Sequence, residues 1–278
     1  MEISKRILKF IHNPFPLWDS DIADLVIDHK WDTSLKNIFQ NHDKYSITGC
    51  ILKDETIKEK ALQLINTGGK IQIAFPSDSL DGFYNNHGII TEDISASFAE
   101  KVEKINGALN ILGEVKPLQS LIFQLVKSVQ IIESENPETD ISYSHPDIPF
   151  SIFFSLCQDN FVISNLRVAE SILHESMHLY LTLIENVIPM IKKNDRHLFY
   201  SPWRNEERPL RGVLHGLFVF RAILDFYTAI AKSFGAENRD YILIRVSEIK
   251  REFSRITAFP QSEGLTLAGQ KLSSMLLI

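Results

Sequence analysis

Cysteine is nearly absent. The chain has two, Cys50 and Cys157, far apart and not spaced as a metal-binding pair. That excludes a disulfide framework and a cysteine zinc site, and it fits a reducing compartment. Long hydrophobic runs are missing as well: no window approaches the roughly 18 consecutive apolar residues of a membrane span. The opening "MEISKRILKFIHNPFP" is interrupted by Lys9, His12 and Pro14 and lacks the apolar core of an export signal. Positive charge is not in excess either. The net charge is −6, so there is no basic footprint for nucleic acid. Internal repeats and low-complexity tracts are also lacking. The expectation is a cytoplasmic protein with neither a nucleic-acid nor a membrane partner.

What is present is an ordinary globular composition, 44% hydrophobic and 23% charged over 278 residues, enough for a sizeable core. Helical spacing runs through 19–41, with Ile22, Leu25, Val26, Leu35, Ile38 and Phe39. "DETIKEKALQLINTGG" reads as a helix capped by Asp54 and stopped at Gly68-Gly69, and "KIQIAF" as a strand closed by Pro76. Two more helices are predicted over 92–112 and 117–133, separated by Gly113 and Pro117. The proline-rich "SENPETDISYSHPDIP" is a loop and the expected boundary between a mostly helical half, 1–145, and a second half, 146–278. In the second half "FSIFFSL" is a strand, "QDN" a turn, and Ser164 or Asn165 the cap of a helix over 166–187. Further helices are predicted over 209–234, 238–257 and 262–276. The predicted fold class is mainly α with a few β-strands (α+β), with the 166–187 helix packed on the apolar 209–234 helix.

The 166–187 helix carries "SILHESMHLYL", which contains His-Glu-x-x-His. Positions i and i+4 lie one above the other on a helix, so His174 and His178 can reach one metal ion. The residues around them are apolar on nearly every side, which predicts a buried helix. A buried helix has little reason to carry a carboxylate, Glu175, between two histidines unless the group is used. The bland reading is a pair of hydrogen-bonded core histidines.

A metal that does chemistry needs a third ligand and open positions. The metzincin pattern would place a histidine where Ile184 stands, which excludes it. Glu185 lies on the same face of the helix, but two turns along and too far to share the ion. Glu206 and Glu207, the gluzincin-type candidates with Glu175 as general base, sit in "NEERP", which reads as the solvated entrance of a helix. His215, in "RGVLHGLFVFRAILDFY", is the better candidate. At about 100° per residue, Arg208, Arg211, His215, Ala222 and Asp225 share one stripe of that helix.

Four arginines, Arg204, Arg208, Arg211 and Arg221, fall within this stretch. Arginine forks bind carboxylates bidentately. Arg211, one turn before His215, suits the far carboxylate of a small dicarboxylate chelating the metal. Arg221 is expected to pair with an acid instead, for example Asp225.

The segments "LHESMHL", "FYSPWR", "ERPLRGVLHG" and "EGLTLAGQKLSSML" resemble the HExxH-domain proteins of ribosomal-peptide modification clusters. Members of that group are understood as iron(II)- and 2-oxoglutarate-dependent peptide β-hydroxylases, not proteases. The resemblance runs from about residue 160 to the end. It implies that His174, His178 and His215 hold iron(II), although zinc also accepts three histidines. It implies further that Arg211, assisted by Arg204 or Arg208, binds 2-oxoglutarate. Dioxygen would then hydroxylate a side-chain β-carbon of a precursor peptide as 2-oxoglutarate becomes succinate. In that scheme Glu175 contacts an outer group or a bound water, and Asp225 or Glu185 orients a ligand imidazole. The peptide needs a groove, and "FSIFFSL" is a candidate edge strand for it. The alternative activity is that of a gluzincin-type zinc metallopeptidase.

Overall fold

The structure is a computed structural model, and it describes residues 2–35, 51–52, 55–56, 61–63, 71–76, 78–92, 97–134, 140–156 and 162–278. The described residues are mainly helical with a small set of strands, as the periodicities predict. They form two compact units. One joins residues 1–26 to 180–278 and the other spans 27–179, so the division falls inside a long helix and not in a linker. The expected boundary at 145/146 falls between two strands that hydrogen-bond to each other.

The unit spanning 27–179 is built on a five-stranded sheet. Its strands are β3 (Ala61–Gln63), β4 (Gln72–Ala74), β5 (Ser128–Ile131), β6 (Ser142–His145) and β7 (Ile148–Phe154), in the order β3-β4-β5-β7-β6. β4, β5 and β7 run parallel, while β3 and β6 pair antiparallel on the outside. A separate pair joins β1 (Ile51–Leu52) to β2 (Glu55–Thr56). Helices α3 (Asp81–His87), α4 (Phe98–Leu112) and α5 (Lys116–Leu125) lie between β4 and β5 in the chain.

Three expectations fail in this unit. The helix expected over "DETIKEKALQLINTGG" is replaced at 55–56 and 61–63 by strands, because pairing with β1 and with β4, respectively, overrides a helix-forming composition. Asp54, Gly68 and Gly69 lie outside the described residues. The helix expected over 117–133 stops at Leu125, and Ser128–Ile131 becomes a buried parallel strand. Val126, Val129, Ile131 and Ile132 are β-branched and suit a strand, and Ser128–Ile131 are all buried. Finally, "FSIFFSL" is an interior strand, buried throughout, and the sheet edge on that side is β6.

The helix expected over 166–187 is α6 (Val162–Glu185). It begins earlier than predicted, so Ser164 and Asn165 lie within it and do not cap it. The helical spacing over 19–41 resolves into α2 (Ser20–Lys30) followed by a π-helical turn at Trp31–Leu35, and the rest lies outside the described residues. Asp19 caps α2, its Oδ1 accepting from the backbone N–H of Asp21 and Ile22, each at 3.0 Å.

The other unit centres on α7 (Leu210–Ile230). It is packed by α8 (Ala236–Ser254), α9 (Leu267–Leu276) and an antiparallel hairpin of β8 (Leu198–Ser201) and β9 (Glu206–Pro209). α1 (Glu2–His12) buries Ile7, Phe10 and Ile11 and packs on α9. By length and composition α7 could cross a membrane, but Leu214, Phe218, Phe226 and Tyr227 are buried inside the protein. The end of α6 packs on α7 as predicted: the ring of Tyr180 lies 6.2 Å from that of Phe218. "NEERP" is strand, not the entrance of a helix, because it completes the β8–β9 hairpin. Trp203, in that hairpin, stacks on Phe220, and a Cβ on Gly216 would stand 2.7 Å from its indole. Glycine at 216 therefore lets the hairpin lie against α7 next to His215.

Candidate functional site

α6 is apolar around most of its circumference, and Ile172, Leu173, Met177, Leu179, Tyr180, Leu181, Leu183 and Ile184 are all buried. Such a helix is fixed by its packing, so polar side chains on its remaining stripe have few conformations open to them. His174 and His178 are half-buried there, with Nε2 atoms 3.1 Å apart. With metal–nitrogen bonds of about 2.1 Å, two ligands on one ion stand about 3.0 Å apart at a right angle and about 3.4 Å apart in a tetrahedron. The two rings are thus within hydrogen-bond distance of each other, as the bland reading has it, and the same separation also fits two adjacent positions around one ion.

Glu175, between them in sequence, is buried and already engaged. Its Oε1 accepts a hydrogen bond from the Ser142 hydroxyl and its Oε2 one from the Ser144 hydroxyl, both at 2.6 Å. Oε1 is 3.9 Å from His174 Nε2. β6 has a register irregularity between Tyr143 and His145, and the Ser142 and Ser144 hydroxyls nonetheless reach the same carboxylate. Glu175 thus contacts neighbouring hydroxyls, one of the outer-group contacts expected of it. Each oxygen accepts one hydroxyl from the strand, and the carboxylate ties the motif helix to the sheet edge. The sequence signal for this was the Ser-x-Ser alternation in "DISYSHP", which the loop reading obscured.

A second polar cluster lies within the unit formed by 1–26 and 180–278. His215, on α7, is buried, and its Nε2 is 3.0 Å from Glu185 Oε2 on the last turn of α6. Arg211 donates from Nε to the same oxygen at 2.8 Å and from Nη2 to the Thr182 hydroxyl at 3.2 Å. Burial holds the His215 pKa below the ordinary imidazole value, against the opposing bond to Glu185. For Glu185 burial acts upward, but the His215 hydrogen bond and Arg211 outweigh it and hold the carboxyl below its usual range. The cluster is thus a neutral imidazole donating Nε2–H to a carboxylate. That tautomer carries its lone pair on Nδ1, and the carboxylate fixes the plane of the ring. Carboxylates hold metal-binding histidines in this way.

The arginines divide differently from expectation. Arg211, the preferred carboxylate binder, donates to Glu185 and Thr182 while its side chain stays 49% exposed. As predicted, Arg221 pairs with Asp225, at 2.9 Å, and it also donates to the Leu276 carbonyl. Arg208 stands 3.8 Å from Glu206. Arg204 is exposed, and among the described residues its guanidinium makes no hydrogen bond or ion pair. Glu206 and Glu207 are exposed on β9.

No protein-family model and no curated protein matches this chain.

The predicted site residues fall into two groups. His174 and His178 stand together, next to the clamped Glu175. His215 stands with Glu185 and Arg211. Among the described residues no cluster of three or more His, Cys, Asp or Glu side chains is arranged to hold a metal ion.

Proposed function

We propose that the protein is an iron(II)- and 2-oxoglutarate-dependent hydroxylase of a peptide side chain, in keeping with the resemblance of its motif segments to HExxH-domain peptide β-hydroxylases. The single observation that carries this reading is the 3.1 Å separation of the His174 and His178 Nε2 atoms on a buried helix whose motif carboxylate is already bonded. When bound, iron(II) with 2-oxoglutarate and dioxygen would supply the oxidising power for the carbon–hydrogen bond.

The chain's own residues have distinct tasks. His174 and His178 offer two adjacent nitrogen donors. His215 is the third ligand implied by the resemblance, and its Nδ1 is the donor atom, since Nε2–H is given to Glu185. Glu185, charged and fixed by Arg211, orients that ring. Arg204, with Arg208 beside it on the same hairpin, is the guanidinium left to receive the far carboxylate of 2-oxoglutarate. Glu175 holds the helix register and transfers no proton.

The zinc-peptidase alternative needs Glu175 as a base and an acidic third ligand. The serine bonds on both Glu175 oxygens and the exposure of Glu206 and Glu207 disfavour it. The test is to incubate iron-loaded, anaerobically purified protein with a precursor peptide from a neighbouring reading frame, 2-oxoglutarate and oxygen. A gain of one oxygen atom that requires 2-oxoglutarate supports the proposal, and shortened fragments overturn it.

A further inference from the structure

We propose that the outer edge of β6 is a binding site for an extended peptide, which adds as a further strand beside the turn carrying His174 and His178. This site rests on the peptide-hydroxylase reading and says how the substrate is held. β6 pairs with β7 on one side, and among the described residues no strand pairs with its other side. The Ser155 N–H donates to the Ile141 carbonyl at 2.8 Å, and the register is Ser142↔Phe154, Tyr143↔Phe153 and His145↔Ile148, with an irregularity between Tyr143 and His145. Residues 141 and 143 therefore point their backbone groups at β7, and Ser142 turns its N–H and C=O outward. Outward backbone groups on an edge strand are the chemistry that recognises an extended peptide.

The two faces of β6 supply the rest. On one face Ser142 and Ser144 hold Glu175, the neighbour of His174, so a strand added at this edge lies against the motif turn. On the other face Tyr143 hydrogen-bonds through its hydroxyl to His87 Nδ1 at 2.8 Å. Those two residues, with Ile90, Ile132, Ile141 and Glu133, line a cavity of about 440 Å³. Ile90 and Ile141 are 46% and 39% exposed, a high share for isoleucine beside a cavity. The added peptide would place an apolar side chain there. β6 thus joins a backbone template, a side-chain pocket and the clamp on the HExxH turn in one short strand.

The test uses the full chain, metal-free, and a fluorescent library of short peptides with a fixed central leucine, read by anisotropy. A subset of peptides is expected to bind. N-methylation at alternate positions, which removes the donors a strand needs, is expected to weaken binding roughly tenfold or more, and so is Ile90→Trp, which fills the cavity. Cobalt(II) binding to wild type and Ile90→Trp, followed by absorbance, is expected to be equal. The site is overturned if no peptide binds, if binding ignores both changes, or if sedimentation shows a second copy of the chain occupying the edge. Normal cobalt(II) binding alongside any of those results removes the peptide site and leaves the metal reading intact. Peptide binding of the expected pattern without cobalt(II) binding supports the edge site and removes the hydroxylase reading.

Discussion

His174 and His178 present their Nε2 atoms to one point, 3.1 Å apart, one turn of α6 separating their backbones. Glu175, the intervening acid, is held by two serine hydroxyls of β6, with Oε1 3.9 Å from His174 Nε2. The motif thus pairs two facing imidazoles with a carboxylate that anchors α6 to the sheet.

The anchorage can be separated from chemistry. Ser142→Ala and Ser144→Ala each remove a hydrogen bond to a buried carboxylate and are expected to cost about 1.5–3 kcal/mol of stability. Chemical denaturation checks this. Were Glu175 a general base, Glu175→Gln would abolish turnover at unchanged stability. The expectation here is a stability loss with hydroxylation retained in the folded fraction.

Glu185→Gln keeps the shape of the partner of His215 but removes its charge. Metal affinity is expected to fall roughly 10–100-fold, the usual effect of changing a carboxylate behind a metal-binding imidazole. Calorimetric titration of the metal-free protein measures it. Unchanged affinity would mean that the His215–Glu185 pair serves the core alone.

The arginines give a clean division. Arg204→Met is expected to raise the KM for 2-oxoglutarate roughly tenfold or more with kcat less affected, because one charge-assisted fork is lost. Arg211→Met leaves that KM near its starting value. Its side chain is 49% exposed, so its pairing with Glu185 contributes only about 0.5–1 kcal/mol to stability after solvent screening.

Acid should destabilise the metal-free protein in two steps. The His215 pKa lies below its ordinary 6.5 because the ring is buried. The unfolded chain therefore binds the extra proton first, and stability present above 6.5 falls as pH drops from there to the lowered folded value. Glu185, held below its ordinary 4.5, contributes stability that is present above 4.5 and lost as pH falls through its folded value. His215→Gln should flatten the first step and leave later acid losses, as read from denaturation midpoints across pH.

Much of this arrangement was legible in the residues. The apolar frame around His174 and His178 announced a buried helix, and the apolar run after Pro209 announced α7 packed on its end. Arg221 and Asp225, four apart on a helix, announced an ion pair. What stayed hidden depended on long-range pairing. Ser142 and Ser144 look like loop residues until β7 pairs with their strand. The helix-forming residues at 61–63 become strand only because β4 lies alongside. Arg211 looked free for a ligand because its partner, Glu185, is on another helix, outside the spacing that defines the stripe of α7. Glu206 and Glu207 were misplaced for the opposite reason: acids before an apolar helix suit a helix entrance, but the hairpin with β8 extends them.

The most direct measurement is anaerobic iron(II) binding to wild type and to His174→Ala, His178→Ala, His215→Ala, Glu206→Ala and Glu207→Ala. The expected result is one iron per chain in wild type and in both glutamate variants, and loss of binding in each of the three histidine variants. Full iron binding in His215→Ala, together with its loss in Glu206→Ala or Glu207→Ala, would contradict the three-imidazole site and favour hydrolysis.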